Sequence, residues 1–286
     1  MSVPSFADLG KSARDVFTTG YHYGKSLMKL TGKAGSGGVQ VDSDLRLYFD
    51  DSKLTGAAHV EYNTNEYGIF RQQWTTDGTM MLGYTVNGFP ISSMGLLSEL
   101  SYNPATVAGA IKCGLKCNQE NVNAVCSISS DFNSNINVLG SIVTAIKGLM
   151  IGYQGGYSTE TNRMTKNDIG MTYLYRDVGF HFRCVSIPNE YGLSLLYKVN
   201  SDWDAAINGI LARTGGMQKW TLGTGAKCQI DDRSTFRCKF NTDLQLGMSM
   251  QHRLDPHVLL TLSFNVDCSN ITRGGHKVGL ALEVEG

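Results

Sequence analysis

From residue 24 onward, apolar and polar side chains alternate with a period of two. Over 39–49 the odd positions carry Val39, Val41, Leu45, Leu47 and Phe49, and the even ones Gln40, Asp42, Asp44, Arg46 and Tyr48. Leu54, Gly56, Ala58, Val60 and Tyr62 alternate with Lys53, Thr55, His59 and Glu61. The same rhythm returns at Val178, Phe180, Phe182 and Cys184, at Tyr191 to Val199, and at Val278, Leu280, Leu282 and Val284. Successive side chains of a strand point to opposite faces, so each segment predicts a strand with one apolar and one polar face. Turn-forming clusters separate the segments: Asp50-Asp51-Ser52, Asn63-Thr64-Asn65, Asp77-Gly78, Asn87-Gly88, Asn118-Gln119-Glu120, Asn200-Ser201-Asp202 and Asp231-Asp232-Arg233. This is the pattern of an antiparallel meander.

At about 14 residues per strand and turn, the chain beyond its first segment holds about 19 strands. Open sheets rarely grow so large, which favours closure into an all-β barrel. So wide a barrel cannot fill its middle with side chains. Its polar face therefore lines water and its apolar face meets lipid, as in a transmembrane barrel. Composition does not change along the chain, and no Pro/Ser linker divides it. We read one domain over 1–286, with a helix at 5–19 and the barrel at 25–286.

The first segment has a helical period instead. Phe6, Leu9, Ala13, Val16 and Phe17 share one face, while Lys11, Arg14 and Asp15 point elsewhere. Ser5 and Asp8 have the spacing of a capping box, and Gly20 supplies a stop. Gly10-Lys11-Ser12 has the ending of a phosphate-binding P-loop. Ser5 stands where that loop requires a glycine, and no strand precedes it. The glycine-rich stretch 32–38 reads as a hairpin turn rather than a phosphate cradle.

Charge and candidate chemistry then exclude other classes. The 25 basic and 25 acidic residues balance, so no nucleic-acid partner is implied. The most apolar window, 138–153, is broken by Ser141, Thr144 and Lys147, so no transmembrane helix is expected. The N-terminus lacks the basic-then-apolar layout of a secretory signal. Seven cysteines make no CxxC pair, and Cys113, Cys126, Cys184, Cys228 and Cys238 fall on apolar positions, as small apolar side chains. Six histidines make no HExxH or His-x-His spacing, so no metal and no other cofactor is expected. The acidic pairs Asp50-Asp51 and Asp231-Asp232 sit in turns, and no nucleophile elbow accompanies a serine. Catalytic residues are not identified, and the chain does not read as an enzyme.

Specific words then carry a resemblance. The segment 3–21, "VPSFADLGKSARDVFTTGY", resembles the N-terminal helix of the voltage-dependent anion channels, the eukaryotic mitochondrial porins. Asn65-Glu66-Tyr67-Gly68-Ile69 with Trp74, Thr76 and Asp77, "LTLS" at 260–263 and "GGHKVGLALE" at 274–283 are similar to further motifs of that family. The resemblance spans the chain. It implies a 19-stranded barrel, an antiparallel meander closed by a parallel first and last pair, with the N-terminal helix in the pore. It implies a multi-pass location in the mitochondrial outer membrane and voltage-gated, passive exchange of ions, ATP, ADP and small anionic metabolites. The partners are then the lipid bilayer, permeating nucleotide and ions, and, for an oligomer, further copies of the chain. Lys277, Gly279, Leu282 and Val284 match the sorting signal that mitochondrial barrels share.

Departures mark a divergent paralogue. Gln72 stands where the family has a membrane-facing glutamate, which puts kinase docking and calcium-linked behaviour in doubt. Gly95-Leu96-Leu97 lacks the lysine of the family's nucleotide motif, and Thr19 replaces another lysine. Gly114-Leu115-Lys116 lies in the next strand. The family's C-terminal signature keeps Asp231, Asp232, Ser234, Lys239, Phe240, Asn241, Gly247, Met248 and Met250 and is broken at Cys228, Cys238 and Thr242.

By parity, Arg46, Lys53, Arg71, Lys112, Lys116, Arg183, Lys198, Arg237, Lys239 and Lys277 face the lumen, opposed by Asp42, Asp44, Glu61, Glu99, Asp204 and Glu283. A wide pore selects by the sign of its lining charge. Lys11 and Arg14 on the helix, with Lys112 and Lys116, are the candidate contacts to permeating nucleotide phosphate. The expected function is a weakly selective diffusion pore. Two other readings stay open: a protein-import channel of the same barrel superfamily, and a soluble β-rich binding protein.

Overall fold

The computed structural model describes residues 3–34, 38–64, 67–89, 91–214 and 216–286. The centre of the glycine-rich turn (35–37) and the motif residues Asn65 and Glu66 lie outside them. In chain order the strands are β1 Lys25–Ala34, β2 Val39–Tyr48, β3 Leu54–Thr64, β4 Gly68–Thr75, β5 Met80–Asn87, β6 Met94–Asn103, β7 Ala108–Asn118, β8 Val122–Asp131, β9 Ile136–Ile146, β10 Leu149–Ser158, β11 Arg163–Tyr175, β12 Val178–Val185, β13 Glu190–Lys198, β14 Trp203–Thr214, β15 Met217–Asp231, β16 Ser234–Asn241, β17 Gln245–Asp255, β18 Val258–Asp267 and β19 Lys277–Glu285. Each pairs antiparallel with its predecessor, and β1 pairs parallel with β19, Met28 opposite Leu282. The odd strand number demands this. In an up-and-down meander the first and nineteenth strands run the same way, so only a parallel ladder can close the ring. Closure leaves no edge strand with unpaired backbone groups.

Register then fixes the two faces. Directly paired residues share a face, so Leu82–Leu100–Ile111 and Met250–Leu262–Leu280 form apolar rows around the outside. These side chains are exposed: Leu82 39%, Ile111 49%, Leu262 39%. An exterior ringed by exposed leucine, isoleucine, tyrosine and tryptophan suits lipid and removes the soluble-protein reading. Cys113 and Cys126 lie exposed on this face, whereas Cys184 is buried beside Ile169 and Tyr191. The inside carries the opposite parity, with Glu61 opposite Arg71, Glu99 opposite Lys112 and Asp204 opposite Lys227. Lys53 lies in the turn just before β3 rather than in a strand.

The N-terminal segment differs from the continuous helix expected over 5–19. It forms a 3-10 turn, Phe6–Asp8, and an α-helix, α1 Lys11–Thr18. Gly10 caps α1 in the left-handed region, φ +66°, and the His181 ring occupies the space a side chain at Gly10 would need. The capping box is not formed either. Ser5 Oγ donates to the Asp8 carboxylate at 2.6 Å, and the Asp8 N–H bonds to the Ser5 carbonyl. The expected stop is present, with α1 ending at Thr18 and Gly20 left-handed at φ +81°.

An eight-residue helix is unstable alone in water, so α1 exists because it is docked. It lies inside the barrel against β13 to β16, and the 3-10 turn lies against β9 and β10. Ala13 and Val16 pack with Leu196 and Ala206, with Phe17 beside them. Val3 and Leu9 pack with Val143, flanked by Phe6, Ala145 and Met150. Glycine gives the wall its recesses. A Cβ at Gly152 would lie 2.8 Å from both Leu9 and Phe6, and one at Gly225 would lie 3.0 Å from Phe17. Burial of this stripe contributes about 25 cal/mol per Å² of apolar area removed from water.

Candidate functional site: the lined lumen and its docked helix

The lumen is charged, and part of that charge is closed into ion pairs. Arg71 and Glu61 meet at 2.7 Å, Lys112 and Glu99 at 2.8 Å, Arg183 and Glu190 at 2.9 Å, Arg46 and Asp44 at 3.0 Å, and Lys227 and Asp204 at 3.7 Å. All five are partly exposed to water, so each contributes about 0–1 kcal/mol to stability. Their larger consequence is electrostatic: at these five places a permeating ion meets a dipole in place of a bare charge.

The linker between α1 and β1 is held to the wall by side chains whose anchoring role the alternation does not show. Lys239 Nζ donates to the Phe17 carbonyl at 2.6 Å and lies 4.1 Å from the Tyr21 ring centroid and 5.3 Å from that of Tyr23. Ser249 Oγ donates to the Gly20 carbonyl at 2.6 Å. The His22 N–H donates to Ser263 Oγ at 3.0 Å, and Ser263 Oγ donates on to the Gly279 carbonyl at 3.3 Å. Gly247 leaves room for the Tyr23 hydroxyl, and Gly279 leaves room for the His22 carbonyl. A charged hydrogen bond is worth about 1.5–3 kcal/mol and a neutral one about 0.5–1.5 kcal/mol, with about 0.5–2 kcal/mol more from the cation over the ring. Burial pushes the Tyr21 and Tyr23 hydroxyls well above the ordinary tyrosine range, and pushes the His22 imidazole down, helped by the positive charges of Lys25 and Arg46. The linker is thus uncharged at neutral pH. Arg237 and Lys239 face the lumen as parity predicts, yet they are spent on this anchorage and on Gln251.

The four candidate nucleotide contacts lie apart. Lys11 is exposed on α1, 3.9 Å from Asp8, and Arg14 donates to the Ala7 carbonyl at 2.7 Å. Lys112 and Lys116 sit on the inner face of β7, Lys112 in its pair with Glu99 and Lys116 exposed. The β7 lysines do not line the cleft beside α1, which is built from Gly10, Arg14, Phe17, Thr18, His181, Arg183, Gly192, Ser194, Asn208 and Ile210. His181, Arg183 and Gly192 were not singled out together from sequence. A signal existed: Val143, Gly152, Gly170, Leu196, Ala206 and Gly225 interrupt the polar parity of their strands, and all line the helix-bearing wall.

Of the proposed sorting residues, Lys277 Nζ pairs with Asp50 at 2.9 Å, Gly279 lies under the linker, and Leu282 and Val284 lie on the outer face. Gly279 therefore has a packing reason of its own. Gln72 lies on the outer face, opposite Val60 and Leu82.

A closed sheet of this size, apolar outside, charged inside and carrying a helix along its inner wall, defines a membrane-embedded pore-forming barrel. The model of the family described as eukaryotic porin matches residues 2–279. The chain is 35% identical over 286 residues to the "non-selective voltage-gated ion channel VDAC1" of Sus scrofa, covering 99% of this chain and 98% of that protein. The same identity and coverage hold for VDAC1 of Homo sapiens, and VDAC2 of Xenopus laevis is 35% identical with 99% of each chain covered. This chain belongs to the eukaryotic porin family. It is embedded in a lipid bilayer and passes small ions.

The outer-face assignment has a direct check. A nitroxide attached at Cys126, with the other cysteines replaced by serine, is expected to relax faster with dissolved oxygen than with a water-soluble nickel chelate after reconstitution. The reverse ranking would place that face in water.

Proposed function

We propose that this chain is a voltage-gated, weakly selective diffusion pore of the mitochondrial outer membrane that passes ions, ATP, ADP and small anionic metabolites. The carrying observation is the closed ring of 19 strands with a charged inner face, supported by relatives named as voltage-gated ion channels. The barrel supplies binding, a wall and a field. Permeant ions keep their water, since the lumen is lined by hydrated charges rather than by a coordinating ring. Lys11, Arg14, Lys112 and Lys116 attract phosphate oxygens along the path without reading a base. Lys277, Gly279, Leu282 and Val284 serve as the sorting signal, and copies of the chain associate in the plane of the membrane. Voltage acts on charge displaced across the bilayer, about 2.3 kcal/mol per elementary charge per 100 mV.

Weak selectivity follows from a lining that carries both signs of charge, part of it closed into ion pairs. In planar bilayers under a KCl gradient, the reversal potential is expected within a few millivolts of zero, far from the Nernst potential of either ion. Strong selectivity of either sign would mean that the lumenal ion pairs do not mask one another. The same recording tests the proposal as a whole: a steady conductance at low voltage that falls at high voltage of either sign is expected. A purified protein that inserts and does not conduct would refute it.

A further inference from the structure

At the middle of the linker stands a residue that meets the wall through its backbone. His22 lies between two left-handed glycines, Gly20 (φ +81°) and Gly24 (φ +71°), which let the chain turn on either side of it. Its N–H donates to Ser263 Oγ on β18 at 3.0 Å, and its carbonyl rests over Gly279 on β19. Neither contact uses the imidazole, so the ring is left to titrate at the hinge of the segment. We propose that His22 is an acid-sensitive release for the N-terminal helix. The inference rests on the pore reading for its consequence, since the element that moves lies in the lumen, and it adds a regulator to that pore.

The charges around the ring oppose a proton on it. Lys25 at the start of β1 and Arg46 on β2 are the cations that bear on it. Arg46 is paired with Asp44 at 3.0 Å, and that carboxylate also has the His59 ring at 3.9 Å. Lys277 of β19 and Asp50 of the β2–β3 turn pair with each other at 2.9 Å, beside Gly24. From β16, Lys239 lies against the Tyr21 and Tyr23 rings, and Arg237, bonded to Gln251, stands beside Gly20. Beneath the linker, Ser263 and Gly279 are neutral. No described carboxylate pairs with the His22 ring. Burial and the two cations hold the docked imidazole below its ordinary value, whereas water surrounds it once the linker is released. The docked state therefore prefers the neutral ring. That preference is fully present above about pH 6.5 and is lost as the pH falls below it, about tenfold in the docking constant per unit of separation between the two states. A second histidine touches the segment: the His181 ring fills the space under Gly10 and bonds to Thr172 at 2.8 Å, near Arg14. It is the competing source of an acid response.

The test uses the full-length protein in vesicles, with its cysteines replaced by serine and a nitroxide attached at Ser12→Cys, an exposed position of α1. The mobile fraction of the label reports release and needs no current. Between about pH 7.5 and about pH 5 it is expected to rise about threefold or more in the parent protein. His22→Gln keeps both backbone contacts and takes no charge in this range, so its label should stay immobile throughout. His22→Lys, charged at every pH used, should show the released signal already at about pH 7.5. His181→Gln should keep the acid response. The proposal is overturned if the parent signal does not change with pH, if His22→Gln responds as the parent does, or if only His181→Gln abolishes the response. A protein that releases its helix in acid yet carries no current in planar bilayers would refute the pore reading and leave the release standing.

Discussion

Gly279→Val should free the helix from the wall. The valine Cβ would stand where the His22 carbonyl now lies, on the strand that closes the ring. Overpacking of this kind costs about 1–3 kcal/mol and sometimes more. Moving the linker to relieve it also breaks the His22 bond to Ser263, about 0.5–1.5 kcal/mol. The two together offset a large part of the polar anchorage of the linker, so the released state of the helix is populated more often, although the apolar contacts of α1 with the wall remain. In limited trypsinolysis of the reconstituted protein, cleavage at Lys11 and Arg14 is expected to accelerate at least tenfold, while the barrel stays intact. Gly140→Val is the matched control, since a Cβ there meets nothing within 4 Å, and its cleavage rate should stay at the wild-type value. If Gly279→Val is cleaved no faster than wild type, the linker clamp does not hold the helix.

The second large effect belongs to the other face. Leu262→Arg places a cation midway along β18, between Met250 and Leu280 on the lipid side. An arginine at the bilayer midplane of a barrel costs about 2–4 kcal/mol. A fall of that size in unfolding free energy is expected by urea titration in vesicles. Ser141→Arg, midway along β9 and facing the lumen opposite Val125 and Gln154, should stay within about 0.5 kcal/mol. Equal losses at the two positions would contradict the assignment of faces. The pair measures the medium on each side of a single-layered wall.

These faces were legible in the sequence for a physical reason. A strand has two sides and no third, so a chain that alternates apolar and polar residues for many segments states which medium each side meets. The paired turns and the strand count carried the rest, and the odd count carried the parallel closure once the family resemblance had supplied it. The site was legible only in part. Arg46, Arg71, Lys112 and Glu99 could be placed inside by parity alone, but their pairing required register, which no single segment contains. Lys239 shows the gap most plainly. Parity reads it as a pore-lining cation, whereas the linker covers it and turns it into an anchor for Phe17, Tyr21 and Tyr23.

By itself the sequence determined a membrane barrel with an amphipathic first segment, because periodicity and turn chemistry are local and each residue reports its own side. Tertiary structure alone decided where that segment lies, why it breaks at Gly10, and which lumenal charges remain open to an ion. Those outcomes depend on contacts such as Gly10 with His181, Ser249 with Gly20, and Gly279 with His22. Their partners lie up to 257 residues apart in the chain and meet only when the ring closes.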